Sequence, residues 1–329
     1  MATSILYVAV ATLCLSHLFV TALGLVHHYS DFLPPATSWF SLWQPKSNNQ
    51  LLLYVPKPAT HSRYQHSRAL SGHKHFGYAR HNGPDVWPLE YPQCSGARQS
   101  PINLEADDMY RLVVSKQLRW HGYRTRPHSL TLTNNRHTIQ VSGKWKMTPS
   151  ISGGPLEGEY TFSQLHFHWG SSDTIGSEHT VRNVSFPMEM HLVHFKKSYG
   201  SQDEALKHED GLAVVSFLFK LSERPNPALN VIVPFLDAVV GAELEVTLTP
   251  PFPLQMLDVS FPSEYVTYLG SLTTPPCSEV VTWIVSSSPL LLSPGQLAKF
   301  RLLGSADSNM ENNFRPVQPT NGRPVFYVS

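Results

Sequence analysis

A mainly β protein with few helices is what this sequence predicts, and three observations carry the prediction. Short apolar alternations recur between clusters of Pro, Gly, Asn and Ser, the period-two signature of half-buried strands. The 27 prolines interrupt the chain too often for long helices. Helix start signals are scarce, there is no internal repeat or phosphate loop, and Gly153-Gly154-Pro155 is a turn signal only.

The elements follow in chain order. Ile5 to Gly24 is largely apolar and ends in Ala22-Leu23-Gly24, a small-x-small cleavage pattern, so residues 1–24 read as a secretory signal peptide. An uncleaved membrane anchor is the alternative, because the run is just long enough to cross a bilayer and lacks Lys and Arg before it. On the signal reading the protein is secreted and extracellular, with no membrane anchor in the mature chain. Residues 25–71 show no sustained period of 2 or 3.6 and gather His27, His28, His61 and His66, as expected of a weakly ordered N-terminal extension.

A compact domain is expected over 72–329, and 41 % hydrophobic composition is enough to fill its core. Its strands are predicted at Ser129–Leu132, Thr138–Val141, Tyr160–His168, Met188–Phe195, Leu212–Lys220, Leu244–Leu248 and Val280–Val285. Two helices are predicted, Asp203–His208 and Ser293–Leu303, the second opening Ser293-Pro294 in N-cap and N1 order.

Cys14 falls within the signal, which leaves Cys94 and Cys277. Two cysteines in an oxidising compartment most simply form one bridge; two buried thiols are the alternative. Asn183-Val184-Ser185 is a glycosylation sequon between two strand-like segments. With 25 Lys and Arg against 24 Asp and Glu, net charge gives no reason to expect nucleic acid as a partner.

The chemistry concentrates in His166-Phe167-His168 and in Glu189-Met190-His191. An H-x-H pair on a strand sends both imidazoles to one face. A third imidazole from an adjacent strand completes a tripod, and zinc accepts three such donors while keeping a fourth position open. Glu189 and Val193 share strand parity with His191, whereas His194 has the opposite parity and is expected in the core. No H-E-x-x-H helix is present, so a zinc peptidase fails on motif.

Further motifs, in order, resemble those of the alpha-class carbonic anhydrases: Gly77-Tyr78, Asn82-Gly83-Pro84 with Trp87, Gln99-Ser100-Pro101 and Asn134-Asn135-Arg136-His137. The histidine pair, Ser177-Glu178-His179-Thr180, His191, Ser271 to Cys277 and Phe314 to Pro319 complete the series. The resemblance spans roughly 76–323. It implies a large central, mostly antiparallel twisted sheet with short peripheral helices, and a metal in a conical cleft.

Carried over residue by residue, the resemblance makes His166, His168 and His191 ligands of Zn2+. Gln164, Glu189 and the Asn313 carbonyl become the groups that fix their rings. Thr273 donates to Glu178 and so orients the attacking oxygen, while His179 and Tyr268 brace the network. Val193, Val214, Leu272, Val281 and Trp283 become the apolar wall for carbon dioxide, with Thr274 near bicarbonate at the mouth. His137 becomes the proton shuttle, with Tyr78, Asn135 and Gln140 ordering water toward it. Arg136 stands where glycine is common in the family, and its charge is expected to repel a proton from His137. Secreted members of the family also pair cysteines at the positions of Cys94 and Cys277.

The expected activity is zinc-dependent, reversible hydration of carbon dioxide to bicarbonate and a proton, with minor ester hydrolysis on the side. The alternative is a secreted matrix or binding protein on the same fold, active or silent, associated with extracellular matrix such as that of calcified tissue. Silence is disfavoured because all three histidines, Thr273 and Glu178 are present.

Overall fold

Apolar alternation builds most of the chain into one twisted sheet. A computed structural model of the chain describes residues 76–261, 263–305 and 310–329. The expected signal peptide at 1–24, the expected extension at 25–71 and the expected start of the domain at 72 lie outside the described residues. The first strands are β1 (Asn103–Leu104), β2 (Tyr110–Arg111), β3 (Arg119–His121), β4 (Ser129–Asn134) and β5 (Ile139–Lys144). Next come β6 (Ser150–Ser152), β7 (Glu159–Trp169), β8 (Thr180–Val181), β9 (Met188–Lys196) and β10 (Leu212–Leu221). The last are β11 (Glu245–Thr247), β12 (Tyr265–Gly270), β13 (Val281–Ser286), β14 (Leu290–Leu292) and β15 (Phe326–Val328).

The sheet runs β11-β4-β5-β7-β9-β10-β13-β12-β15-β2, with β6 on β7, β3 on β6 and β14 on β10; β1 and β8 pair apart. Most neighbours are antiparallel, as expected, but the sheet is mixed. β10 runs parallel to β13 and β14, and β15 parallel to β2. A parallel neighbour needs a long crossover, and the stretch from Ser222 to Val280 between β10 and β13 supplies one.

Three short α-helices occur among the described residues: α1 (Trp87–Glu90), α2 (Gln202–Ala205) and α3 (Pro294–Arg301). Ser293 caps α3 as its sequence predicts, and Gln296 completes a capping box. α2 is shorter than the expected Asp203–His208, because Lys207 and His208 bond back only three residues and tighten the turn.

Two local features aim side chains at the cleft. β10 reads Leu-Ala-Val-Val-Ser-Phe-Leu-Phe and is buried along that whole run. Ala213, Val215, Phe217 and Phe219 enter the main core, while Leu212, Val214 and Ser216 point the other way. In β7 the pairing with β9 slips between Phe162 and Gln164. Before that bulge Tyr160 and Phe162 enter the core; after it Leu165 and Phe167 do. The extra residue therefore moves His166 and His168 off the core parity and onto the cleft face.

Cys94 and Cys277 form a disulfide with Cα atoms 4.9 Å apart, packed with Trp87. It closes 183 residues of chain, tying the start of the described domain to the loop that carries Thr273. Loop-closure entropy assigns such a bridge about 5 kcal/mol. We expect the Cys94→Ser/Cys277→Ser variant to lose stability of that order in urea unfolding. We also expect no alkylation of native protein; two reactive thiols would contradict the bridge.

Candidate metal centre

Register brings the three histidines together. His166 lies directly opposite His191 across β7 and β9, and His168 sits two residues further along the same face. Ring centroids are 5.0 Å apart for His166–His168, 5.2 Å for His166–His191 and 4.7 Å for His168–His191. One nitrogen from each falls within 4.8 Å of the others.

The second nitrogen of each ring is already committed, which decides the tautomers. His168 Nδ1 donates to the Asn313 carbonyl at 2.7 Å, so its Nε2 carries the lone pair. His166 Nδ1 donates to Gln164 Oε1 at 2.9 Å, and His191 Nε2 donates to Glu189 Oε1 at 2.7 Å. The atoms left to converge are Nε2 of His166, Nε2 of His168 and Nδ1 of His191. Burial drives all three rings toward the neutral form, to about 4 for His168 and well below its usual range for His166; the Glu189 charge only partly opposes this in His191. Neutral imidazoles are the form that binds metal. The fit to a cation rests on one further atom: His168 Nε2 is buried and makes no hydrogen bond, an orphan that a metal ion would satisfy.

Glu189 anchors the constellation. Its Oε1 accepts from His179 Nδ1 at 2.6 Å, from His191 Nε2 and from the Ser216 hydroxyl at 2.5 Å. Its Oε2 accepts the backbone N–H groups of Glu178 and His179, each at 2.8 Å. Burial alone raises this carboxyl, but the charges and hydrogen bonds of His179 and His191 hold it well below the ordinary carboxylate range. His179 Nε2 in turn meets the Tyr268 hydroxyl at 2.7 Å.

Glu178 faces the metal position from the side, its Oε2 lying 3.4 Å from His168 Nε2 and 3.8 Å from His191 Nδ1. Burial raises its carboxyl to about 7, against the lowering pull of His191, the Thr273 hydroxyl and the Arg315 N–H. Oε2 is buried without a hydrogen-bond partner, and the Thr273 hydroxyl is among the groups that hold the carboxyl down.

Part of the expected wall lies on adjacent strands. Val193, Val214 and Trp283 lie side by side in register across β9, β10 and β13, and Val281 shares the face of Trp283. The Trp283 and His191 rings are 4.9 Å apart. Leu272 and Thr274 are half-buried in the loop beyond β12 that ends at Cys277. His194 is fully buried on the opposite face, against the Tyr123 hydroxyl at 2.6 Å, as its parity requires.

His137 occupies the turn between β4 and β5, half-buried and stacked on Phe76 with centroids 3.9 Å apart. Gln140 is opposite His166. Tyr78 lies near enough to Glu178 that this charge, after burial, raises its hydroxyl well above the usual range. Asn135 Oδ1 accepts the backbone N–H groups of His137 and Thr138, and so shapes the turn that carries His137. Arg136 takes the left-handed conformation at φ 75°, a backbone region that favours glycine. Its guanidinium pairs with Glu243 at 2.8 Å instead of standing unpaired beside His137. Asn183 is exposed at a turn, open to modification.

Sequence reasoning assigned no part to three residues of this site. Ser216, the one polar residue in the apolar run of β10, was the legible signal for a buried hydrogen bond. Phe76 gave no signal. The Arg315 guanidinium donates to Cys94 O, Gln99 Oε1 and Ser100 O at 2.8–2.9 Å, and its backbone N–H donates to Glu178 Oε1 at 2.9 Å.

The family model for eukaryotic-type carbonic anhydrases matches residues 82–329. The chain belongs to this family. Carbonic anhydrase 7 of Mus musculus is 41 % identical over 264 residues, covering 78 % of this chain and 98 % of the relative. Carbonic anhydrase 3 of Homo sapiens is 39 % identical over 260 residues, covering 77 % and 97 %. The protein is thus an enzyme of the carbonic anhydrase family, whose reaction is the reversible hydration of carbon dioxide.

Arg315 yields a prediction that separates support from chemistry. Arg315→Ala keeps the backbone N–H on Glu178 but leaves two carbonyls and the Gln99 side chain short of partners. Unfolding free energy should fall by about 3–5 kcal/mol. Equal urea midpoints for variant and wild type would contradict the assignment.

Proposed function

We propose that this enzyme interconverts carbon dioxide and bicarbonate with zinc held by His166, His168 and His191, and that it is secreted. The observation that carries the metal reading is the committed second nitrogen of every ring, which leaves three neutral lone pairs converging on one point. Zinc, for which this family is the reference case, supplies a Lewis acid that makes water acidic enough to act as a nucleophile near neutral pH.

The chain's own residues do the rest. Glu178, fixed by the Arg315 N–H, is the acceptor that lets the Thr273 hydroxyl orient the attacking oxygen. Val193, Val214, Leu272, Val281 and Trp283 exclude water from the space beside the imidazoles and hold a small apolar substrate there. Such a wall binds carbon dioxide and offers bicarbonate no compensating partner, so the charged product leaves past Thr274. His137 carries the proton outward from the turn, with Tyr78 and Gln140 between it and the metal position. Secretion is supported by the apolar run at 5–24 and by the Cys94–Cys277 bridge, which suits an oxidising compartment.

Three measurements test this reading. Substituting His166, His168 or His191 with Ala should lower bound zinc far below one per chain and abolish hydration; stoichiometric zinc with normal activity in His191→Ala would refute the ligand set. His137→Ala should keep zinc and kcat/KM while kcat in weak buffer falls by about tenfold or more, and imidazole should restore it. Loss of kcat and kcat/KM together, without rescue, would make His137 structural. Expressed in a secretory host, the protein should reach the medium with its N-terminus near Leu25; retention in the membrane fraction would favour the anchor.

A further inference from the structure

The near-neutral balance of the whole chain hides a one-sided stretch. Between Met109 and Leu156 there are eight Lys and Arg and no Asp or Glu, in a chain whose net charge is +1. Six of the eight, Lys116, Arg119, Arg124, Arg126, Lys144 and Lys146, are exposed, and no carboxylate among the described residues pairs with them. We infer that these six form a docking face for a sulfated polysaccharide.

The fold gathers them on neighbouring segments. β3 carries Arg119 and His121 on one face, opposite Ser152 and Ser150 of β6. The turn holding Arg124 and Arg126 is tied to the end of β5, with His128 N donating to Lys144 O at 2.7 Å and Trp145 Nε1 to Thr125 O at 3.3 Å. Two depressions flank β3. One, of about 470 Å³, is lined by Lys116, Arg119 and His121. The other, of about 520 Å³, is lined by Trp120, Arg124 and Phe261. Glu159, which lines the first, is held by Lys197 at 2.9 Å and by Ser150.

Edge protection is the simpler explanation for charge on β3, which pairs on one side only. A few charges suffice for that, and it does not require the loss of every acid from 48 consecutive positions. The shape and chemistry favour a chain-like polyanion. Arginine forks match the oxygens of sulfate groups, and a ridge between two depressions takes a thread better than a plane. A membrane would want clustered exposed apolar side chains, and this stretch offers Val113 and Met147 on separate segments. Single-stranded nucleic acid would want free rings, yet Trp120 is packed on Tyr123 and Trp145 on Phe162. The face is remote from the metal position: from Glu159, opposite Ser152, to His166 is roughly 20 Å along β7. A bound polysaccharide would hold the enzyme in place and leave the cleft open.

Such a partner is met outside cells, so the inference deepens the extracellular reading above. Binding is measured on purified protein and secretion in the medium, so either can fail without the other. The probe is heparin, with phosphatidylserine-containing vesicles and duplex DNA as competitors. Wild type should bind heparin with a Kd that weakens as salt rises. Arg119→Gln/Arg124→Gln/Arg126→Gln/Lys144→Gln should bind about tenfold or more weakly, its salt slope reduced by about one per charge removed, with carbon dioxide hydration unchanged. If that variant does not fold, Arg124→Gln/Arg126→Gln on the exposed turn should lose a slope of about two. Equal heparin affinity in variant and wild type overturns the inference, as does tighter binding to vesicles or DNA than to heparin.

Discussion

A carboxylate with no exposure to water has to be surrounded by donors or it will not stay ionised. Glu189 meets that condition with five hydrogen bonds, and the candidate site is arranged around it. One oxygen draws in the loop that carries Glu178 and His179; the other joins His191 on β9 to Ser216 on β10. The same bonds decide which nitrogen of His191 faces the cleft. Stability and chemistry therefore share one residue, and neither can be altered there alone.

The strands that face the metal position are buried on both sides, and this sets what they can carry. On the core side β10 presents Ala213, Val215, Phe217 and Phe219. On the cleft side every polar group has to be satisfied within the protein. Gln164, Asn313, Ser216 and Arg315 supply those partners from four separate segments. His168 Nε2 is left without one, and it points where the other imidazoles converge.

Much of this was legible in the sequence because strands alternate with period two. The H-x-H pair, Glu189 and Val193 beside His191, and the opposite fate of His194 all follow from parity. The bulge in β7 was less legible: its trace is the three-residue spacing from Phe162 to Leu165 where two was due. The parallel pairs of β10 leave no local trace, since they depend on a crossover of nearly sixty residues. Arg315 is hidden for the same reason, as its partners at Cys94, Gln99 and Ser100 lie more than two hundred residues away. The turn-closing bonds of the Asn135 oxygen, beside Arg136 at positive φ, were also not legible, because a local side-chain-to-backbone bond leaves no periodic trace.

The most direct test of the account is the zinc affinity of Glu189→Gln. An amide at this position keeps the size of the carboxylate but removes its charge and one acceptor oxygen. The Kd for zinc should rise by about 10–100-fold in protein whose circular dichroism remains that of the wild type. A folded Glu189→Gln protein that binds zinc as tightly as the wild type would contradict it.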